Sequence, residues 1–126
     1  MHENEIAKII FAATVKIHKE LGPGLFESAY ETCLAYELRK QGLIVEEQKE
    51  LPIIYESIYL DKGYRIDICV ENKVIVELKA VEMITDVHKA QLLTYLKLSG
   101  CKLGLLINFN VPYMGKGVYR FINGAL

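Results

Sequence analysis

The sequence predicts a single mixed α/β domain whose elements follow the order α-α-β-β-β-β-α-β-β. Three patterns carry that expectation. Apolar residues recur at helical spacing early in the chain and again around residues 85–98. The middle of the chain breaks into short β-branched and aromatic runs separated by turn residues, as in a meander. Leu103 to Phe109 is an uninterrupted apolar run, the pattern of a strand buried on both faces.

Each element follows in order. From about Asn4 to Leu21, Ile6, Ile9, Ile10, Ala13, Ile17 and Leu21 form one helical stripe, and Lys8, Lys16 and Lys19 read as its solvated side. Gly22-Pro23-Gly24 breaks the chain. A second helix is expected from Leu25 to Gln41, burying Phe26, Ala29, Tyr30, Cys33 and Leu38, with Gly42 in the C′ position. Leu43-Ile44-Val45 then gives way to the polar run Glu46-Glu47-Gln48-Lys49-Glu50. Leu51–Tyr55 and Ile58–Leu60 read as short strands around Glu56-Ser57, and Asp61-Lys62-Gly63 as a turn. Two longer strands follow, Tyr64–Val70 and Val74–Val81, joined through Glu71-Asn72-Lys73. A third helix spans about Thr85 to Leu98, with Thr85 as N-cap and Ser99-Gly100 as its stop. After Leu103–Phe109 and the Gly115-Lys116-Gly117 turn, Val118–Ile122 is a last, edge strand.

Composition narrows the class. With 126 residues, 52% hydrophobic and 25% charged, the chain fits one domain over residues 1–126 and excludes a disordered tail. Charges interrupt every apolar stretch before the roughly 18 residues a bilayer span needs, so no membrane association is expected. The start, Met1-His2-Glu3-Asn4-Glu5, lacks a basic secretory leader and favours a cytoplasmic location. Cys33, Cys69 and Cys101 are widely spaced and odd in number, which suits reduced core thiols rather than disulfides or a zinc site. The formal net charge of -1 gives no basic excess, so any nucleic-acid contact must come from local clustering or a partner.

Charges embedded in apolar strands stand out against this background. Val74-Ile75-Val76-Glu77-Leu78-Lys79-Ala80-Val81 carries Glu77 and Lys79, and Tyr64-Arg65-Ile66-Asp67-Ile68-Cys69-Val70 carries Asp67. Such charges are costly unless paired, hydrogen-bonded or metal-bound. If 71–73 is a three-residue loop, Val70 faces Val74 and Asp67 faces Glu77, with Cβ atoms roughly 4.5–5.5 Å apart. Lys79 then shares the face of Glu77. A two-residue loop would put the two acids on opposite faces instead.

Facing carboxylates repel unless one is protonated or a cation lies between them. Carboxylate oxygens suit Mg²⁺, and a neighbouring lysine can orient an attacking water and offset transition-state charge. The spacing therefore supports metal-assisted phosphodiester hydrolysis, against the bland alternative of a salt-bridge cluster on a solvated sheet face. In the third helix His88, Gln91, Leu92 and Tyr95 fall within a sector of about 100° expected to face the sheet. Gln91 and Tyr95 could equally be a core-edge pair, and His88 a surface histidine. Glu27, in the first turn of its helix, can be explained at N3 by backbone capping and the helix dipole.

With these residues in hand, the chain resembles the GxxExxY family of the PD-(D/E)xK nuclease superfamily. The likeness runs from Leu21-Gly22-Pro23-Gly24 and Gly24-Leu25-Phe26-Glu27-Ser28-Ala29-Tyr30 through Val76-Glu77-Leu78-Lys79 to Gly104-Leu105-Leu106-Ile107-Asn108-Phe109-Asn110. It implies a restriction-endonuclease-like αβββαβ core, a mixed central sheet flanked by helices, with an extra N-terminal helix. It implies Mg²⁺, or Mn²⁺ in its place, bound by Asp67, Glu77, the Leu78 carbonyl and Glu27, with Lys79 as catalytic lysine. Gln91 and Tyr95 match a Gln-x-x-x-Tyr helix element near the site, and Tyr30 is expected on the substrate side. Ile66 stands where the motif name has proline. The expected function is hydrolysis of nucleic acid, DNA rather than RNA, by a possible homodimer. The alternative is a noncatalytic nucleic-acid-binding or assembly module that keeps the fold.

Overall fold

The computed structural model describes residues 1–60 and 63–126. Helix α1 (Glu3–Leu21) starts at a His2 N-cap, whose Nδ1 accepts the Asn4 N–H at 2.9 Å. It buries Ile6, Ile10, Ala13 and Ile17, while Leu21, its last residue, stays exposed. Helix α2 (Glu27–Lys40) begins two residues later than the sequence suggests. Phe26 is its N-cap and is 84% exposed rather than buried. A residue half outside the helix does not share the inward stripe, here Tyr30, Leu34 and Leu38. The far end closes as a Schellman motif, with Gly42 at φ 85° in the expected C′ position. There the Leu43 N–H bonds the Leu38 carbonyl at 3.2 Å and the Gly42 N–H bonds that of Arg39 at 2.9 Å.

Strands β1 (Val45–Glu50), β2 (Ile53–Tyr55), β3 (Ile58–Leu60), β4 (Arg65–Val70) and β5 (Val74–Lys79) precede helix α3 (Asp86–Ser99). Strand β6 (Leu103–Asn108), a 3-10 turn (Met114–Lys116) and β7 (Val118–Ile122) follow it. Five strands rather than four thus stand before the third helix, because the polar run 46–50 belongs to a strand. Among the described residues β1 pairs only with β4 and is an edge strand, so its polar side chains can remain in water. Asp61 and Lys62 of the expected turn lie outside the described residues.

The main sheet runs β1-β4-β5-β6-β7, and β5–β6 is its parallel pair, with α3 as the crossover such a pair requires. β2 and β3 pair with each other in a separate hairpin whose Ile54, Tyr55, Ile58 and Tyr59 are exposed. Helices α1 and α2 cover one face of the sheet, over Ile68, Val70, Val76, Leu78 and Ile107. Helix α3 covers the other through Leu92, Tyr95 and Leu96 against Cys69, Ile75 and Leu106. Gly104 permits that contact, because a Cβ there would lie 2.9 Å from Leu92 Cδ1. The cysteines are free, Cys69 buried and Cys33 and Cys101 half-buried. No helix of the described residues is long and apolar enough to cross a membrane.

Candidate active site

The turn between β4 and β5 holds Glu71 and Asn72 at φ 54° and 57°, and Val70 pairs with Val74. This is the odd-length loop, and its register sets Asp67 opposite Glu77. The ladder itself stops one pair earlier, at Ile68–Val76. Past that point Leu78 donates its N–H to Asp67 Oδ2 at 2.9 Å, so a carboxylate replaces the carbonyl of a departing strand. Asp67 is skipped on its other side as well: β1 pairs with β4 at Ile68 and Ile66 but not between them. Side-chain direction records the same break. Ile68 lies in the α1–α2 core and Ile66 in the α3 core, although a regular strand would turn both the same way.

Glu77 is 5% exposed, and its Oε1 has no hydrogen-bond partner among the described residues. Burial, and after it the adjoining Asp67, push its carboxyl up to about 9, with the Lys79 charge offsetting part of the rise. Among the described residues no salt bridge joins Lys79 to either acid. A solvated ion-pair cluster therefore does not describe these charges.

These three side chains open into a cavity of about 300 Å³. Helix α2 contributes Glu27 and Glu31 to its wall, β1 contributes Gln48, β4 contributes Arg65, and α3 contributes Gln91 and Tyr95. Asn108, paired with Lys79 in the parallel ladder, fixes the exit of β5. Its buried amide accepts the Val81 N–H at 3.1 Å and donates to the Val81 carbonyl at 2.9 Å.

Several sequence expectations change here. Glu27 is the first residue of α2, not N3, and no side-chain cap closes that end, so backbone capping does not account for it. Gln91 and Tyr95 do face the cavity, with Gln91 Nε2 3.4 Å from the Tyr95 hydroxyl. Burial, followed by the charges of Glu77 and Asp67, raises the Tyr95 phenol. His88 is instead engaged in a capping box, its Nδ1 accepting the Thr85 N–H at 3.0 Å. Tyr30, expected on the substrate side, does not line the cavity. It is fully buried, stacked on Phe109 with ring centres 4.1 Å apart. Its hydroxyl donates to the Gly22 carbonyl at 2.6 Å and accepts the Leu25 N–H at 3.2 Å. Its work is to anchor the loop that delivers Glu27.

The sequence reading missed Glu31, Gln48 and Arg65. Two signals were available: Glu31 lies one turn after Glu27, and Arg65 lies two residues before Asp67. Gln48 gives none, because it lies in a polar run that carries no strand pattern.

The donor set suits a divalent cation. An orphaned, buried carboxylate oxygen beside a second carboxylate is what such an ion would satisfy. Among the described residues no three His, Cys, Asp or Glu side chains group closely enough to hold a metal ion. A family model for the PD-(D/E)XK nuclease superfamily matches residues 4–121. The chain belongs to the PD-(D/E)XK nuclease superfamily. Its three helices and mixed five-stranded sheet are those of a restriction-endonuclease-like PD-(D/E)XK domain. No curated protein and no solved structure matches this PD-(D/E)XK chain.

Proposed function

We propose that the protein is a Mg²⁺-dependent phosphodiesterase that hydrolyses nucleic acid, DNA in the first instance, and that it is of the GxxExxY type. The observation that carries the reading is the buried Glu77, with an unsatisfied oxygen, beside half-buried Asp67, facing a cavity next to Lys79. Asp67, Glu77 and the Leu78 carbonyl would hold the cation, with Glu27 on the cavity wall. When bound, the ion supplies charge neutralisation at the phosphoryl oxygens and acidifies water. Lys79 orients the attacking water and stabilises developing negative charge. Arg65, exposed at the rim, gives the phosphate backbone a cationic contact. Gln91 and Tyr95 present polar tips to the substrate from α3. The DNA preference rests on family resemblance and a homodimer embracing a duplex on the small size of the domain; a cytoplasmic location is proposed alongside them.

The test is cleavage of single- and double-stranded DNA and RNA in Mg²⁺ or Mn²⁺, with Glu77→Ala and Lys79→Ala alongside. We expect metal-dependent cleavage by the parent and losses of at least about 10²-fold in both variants. No cleavage by the parent, or equal cleavage by the variants, would leave a noncatalytic nucleic-acid-binding module as the reading. Sedimentation with and without a duplex tests the dimer.

A further inference from the structure

We propose that Gln48 is a positioning residue whose side-chain amide fixes the Asp67 carboxylate and couples it to Glu31. Its bearing on catalysis rests on the function proposed above; its bearing on Asp67 rests on geometry.

Gln48 sits in the middle of β1 at φ 51°, in the left-handed region where a side chain is strained and glycine is not. The ladder opens around it: β1 and β4 pair at Glu47–Ile68 and Lys49–Ile66, but not at the intervening Gln48–Asp67. The side chain makes the link that the backbone does not. Nε2 donates to Glu31 Oε1 at 2.7 Å and reaches Asp67 Oδ1 at 3.4 Å. On the opposite flank, Leu78 donates its N–H to Asp67 Oδ2. Both oxygens of Asp67 are therefore held, one from each neighbouring strand, and the carboxylate has one orientation to present. Glu31 and Asp67 repel each other, and a single NH₂ with two hydrogens can serve both. Gln48 is an exposed residue of the edge strand, so burial in a core does not explain it. A strained residue whose side chain grips two acids of one cavity is best explained by that grip.

Gln48→Gly separates backbone from side chain, since it relieves the φ and removes the amide. We expect it to fold with a Tm equal to or above the parent's. In cation-free protein, exchange of the Leu78 N–H should speed up at least tenfold, while the Ile68 and Val70 amides keep their protection. Calorimetric Mn²⁺ affinity should fall roughly 10–100-fold, the usual loss when the support of a ligand is removed. Gln48→Asn tolerates left-handed backbone and keeps an amide, so it should recover part of both losses. Unchanged Leu78 exchange in Gln48→Gly, or unchanged Mn²⁺ affinity, overturns the proposal. A parent that binds no Mn²⁺ and cleaves nothing overturns the functional reading instead, and Leu78 exchange still decides whether Gln48 positions Asp67.

Discussion

Leu78 donates its backbone N–H to Asp67 Oδ2 at 2.9 Å, where the β4–β5 ladder has already ended. One side chain therefore has a structural duty and a proposed chemical one, and two substitutions divide them. Asp67→Asn keeps an acceptor for Leu78 and loses the charge; Asp67→Ala loses both. We expect both to abolish cleavage, while only Asp67→Ala lowers stability, by about 1–3 kcal/mol for an unsatisfied buried donor. Chemical denaturation of the two variants measures this. Equal stabilities would mean that the contact has no weight in the fold.

Glu77 makes stability depend on pH. The native carboxyl holds its proton up to about 9, whereas the unfolded one releases it near the ordinary 4.5. The native state binds more protons between those values, so this contribution is fully present below about 4.5 and lost as pH rises to about 9. Cation-free protein should melt at least about 5 °C lower at pH 9 than at pH 6. Mg²⁺ should raise the Tm more at pH 9 than at pH 6. Glu77→Gln should flatten the pH dependence and remove the Mg²⁺ response.

Tyr30 and Tyr95 give opposite signatures. Tyr30→Phe removes two hydrogen bonds to the 22–25 loop and should cost about 1–3 kcal/mol with little change in activity per folded molecule. Tyr95→Phe loses a hydroxyl that faces the cavity and should affect activity more than stability. Denaturation midpoints and specific activities of the pair decide it.

Asn108 and Gly117 support the Lys79 side of the site. A Cβ at Gly117 would come within 2.2 Å of the Asn108 carbonyl oxygen, so Gly117→Ala must displace backbone. Asn108→Ala leaves both polar groups of Val81 without their amide partner. Each should cost about 2–4 kcal/mol, and each should also reduce cleavage, because Val81 lies two residues past Lys79. Full activity in a destabilised Asn108→Ala would separate that anchor from the chemistry.

Much of the site was legible because strand parity is a strong constraint. Once the 71–73 loop is taken as odd in length, a choice composition leaves open, a period of two sets Asp67 against Glu77 with Lys79 beside them, and helical spacing turns Gln91 and Tyr95 toward the cavity. Other features were not, for definite physical reasons. Gln48 sits in a polar edge strand, where water-facing residues resemble a loop and its left-handed backbone leaves no mark on composition. Tyr30 shares a motif with Glu27, yet three residues along a helix turn a side chain by nearly a full circle less a sixth, enough here to bury one and open the other. Phe26 reads as core by its chemistry, but where a helix begins decides whether a residue joins its stripe.

The short β4–β5 turn also bears on how the chain folds. Asp67 and Glu77 are ten positions apart, and hairpins of this kind close in roughly 1–10 μs. The two acids can thus meet while water still surrounds them. Glu77 is expected to lose that water as β6 docks in parallel beside β5, a non-local step and hence a slow one. The docking step should therefore carry a cost of neutralising or dehydrating Glu77 that grows as pH rises from about 4.5 toward about 9. Stopped-flow refolding is expected to slow between pH 6 and pH 9, and equal rates would place the drying of Glu77 after the barrier.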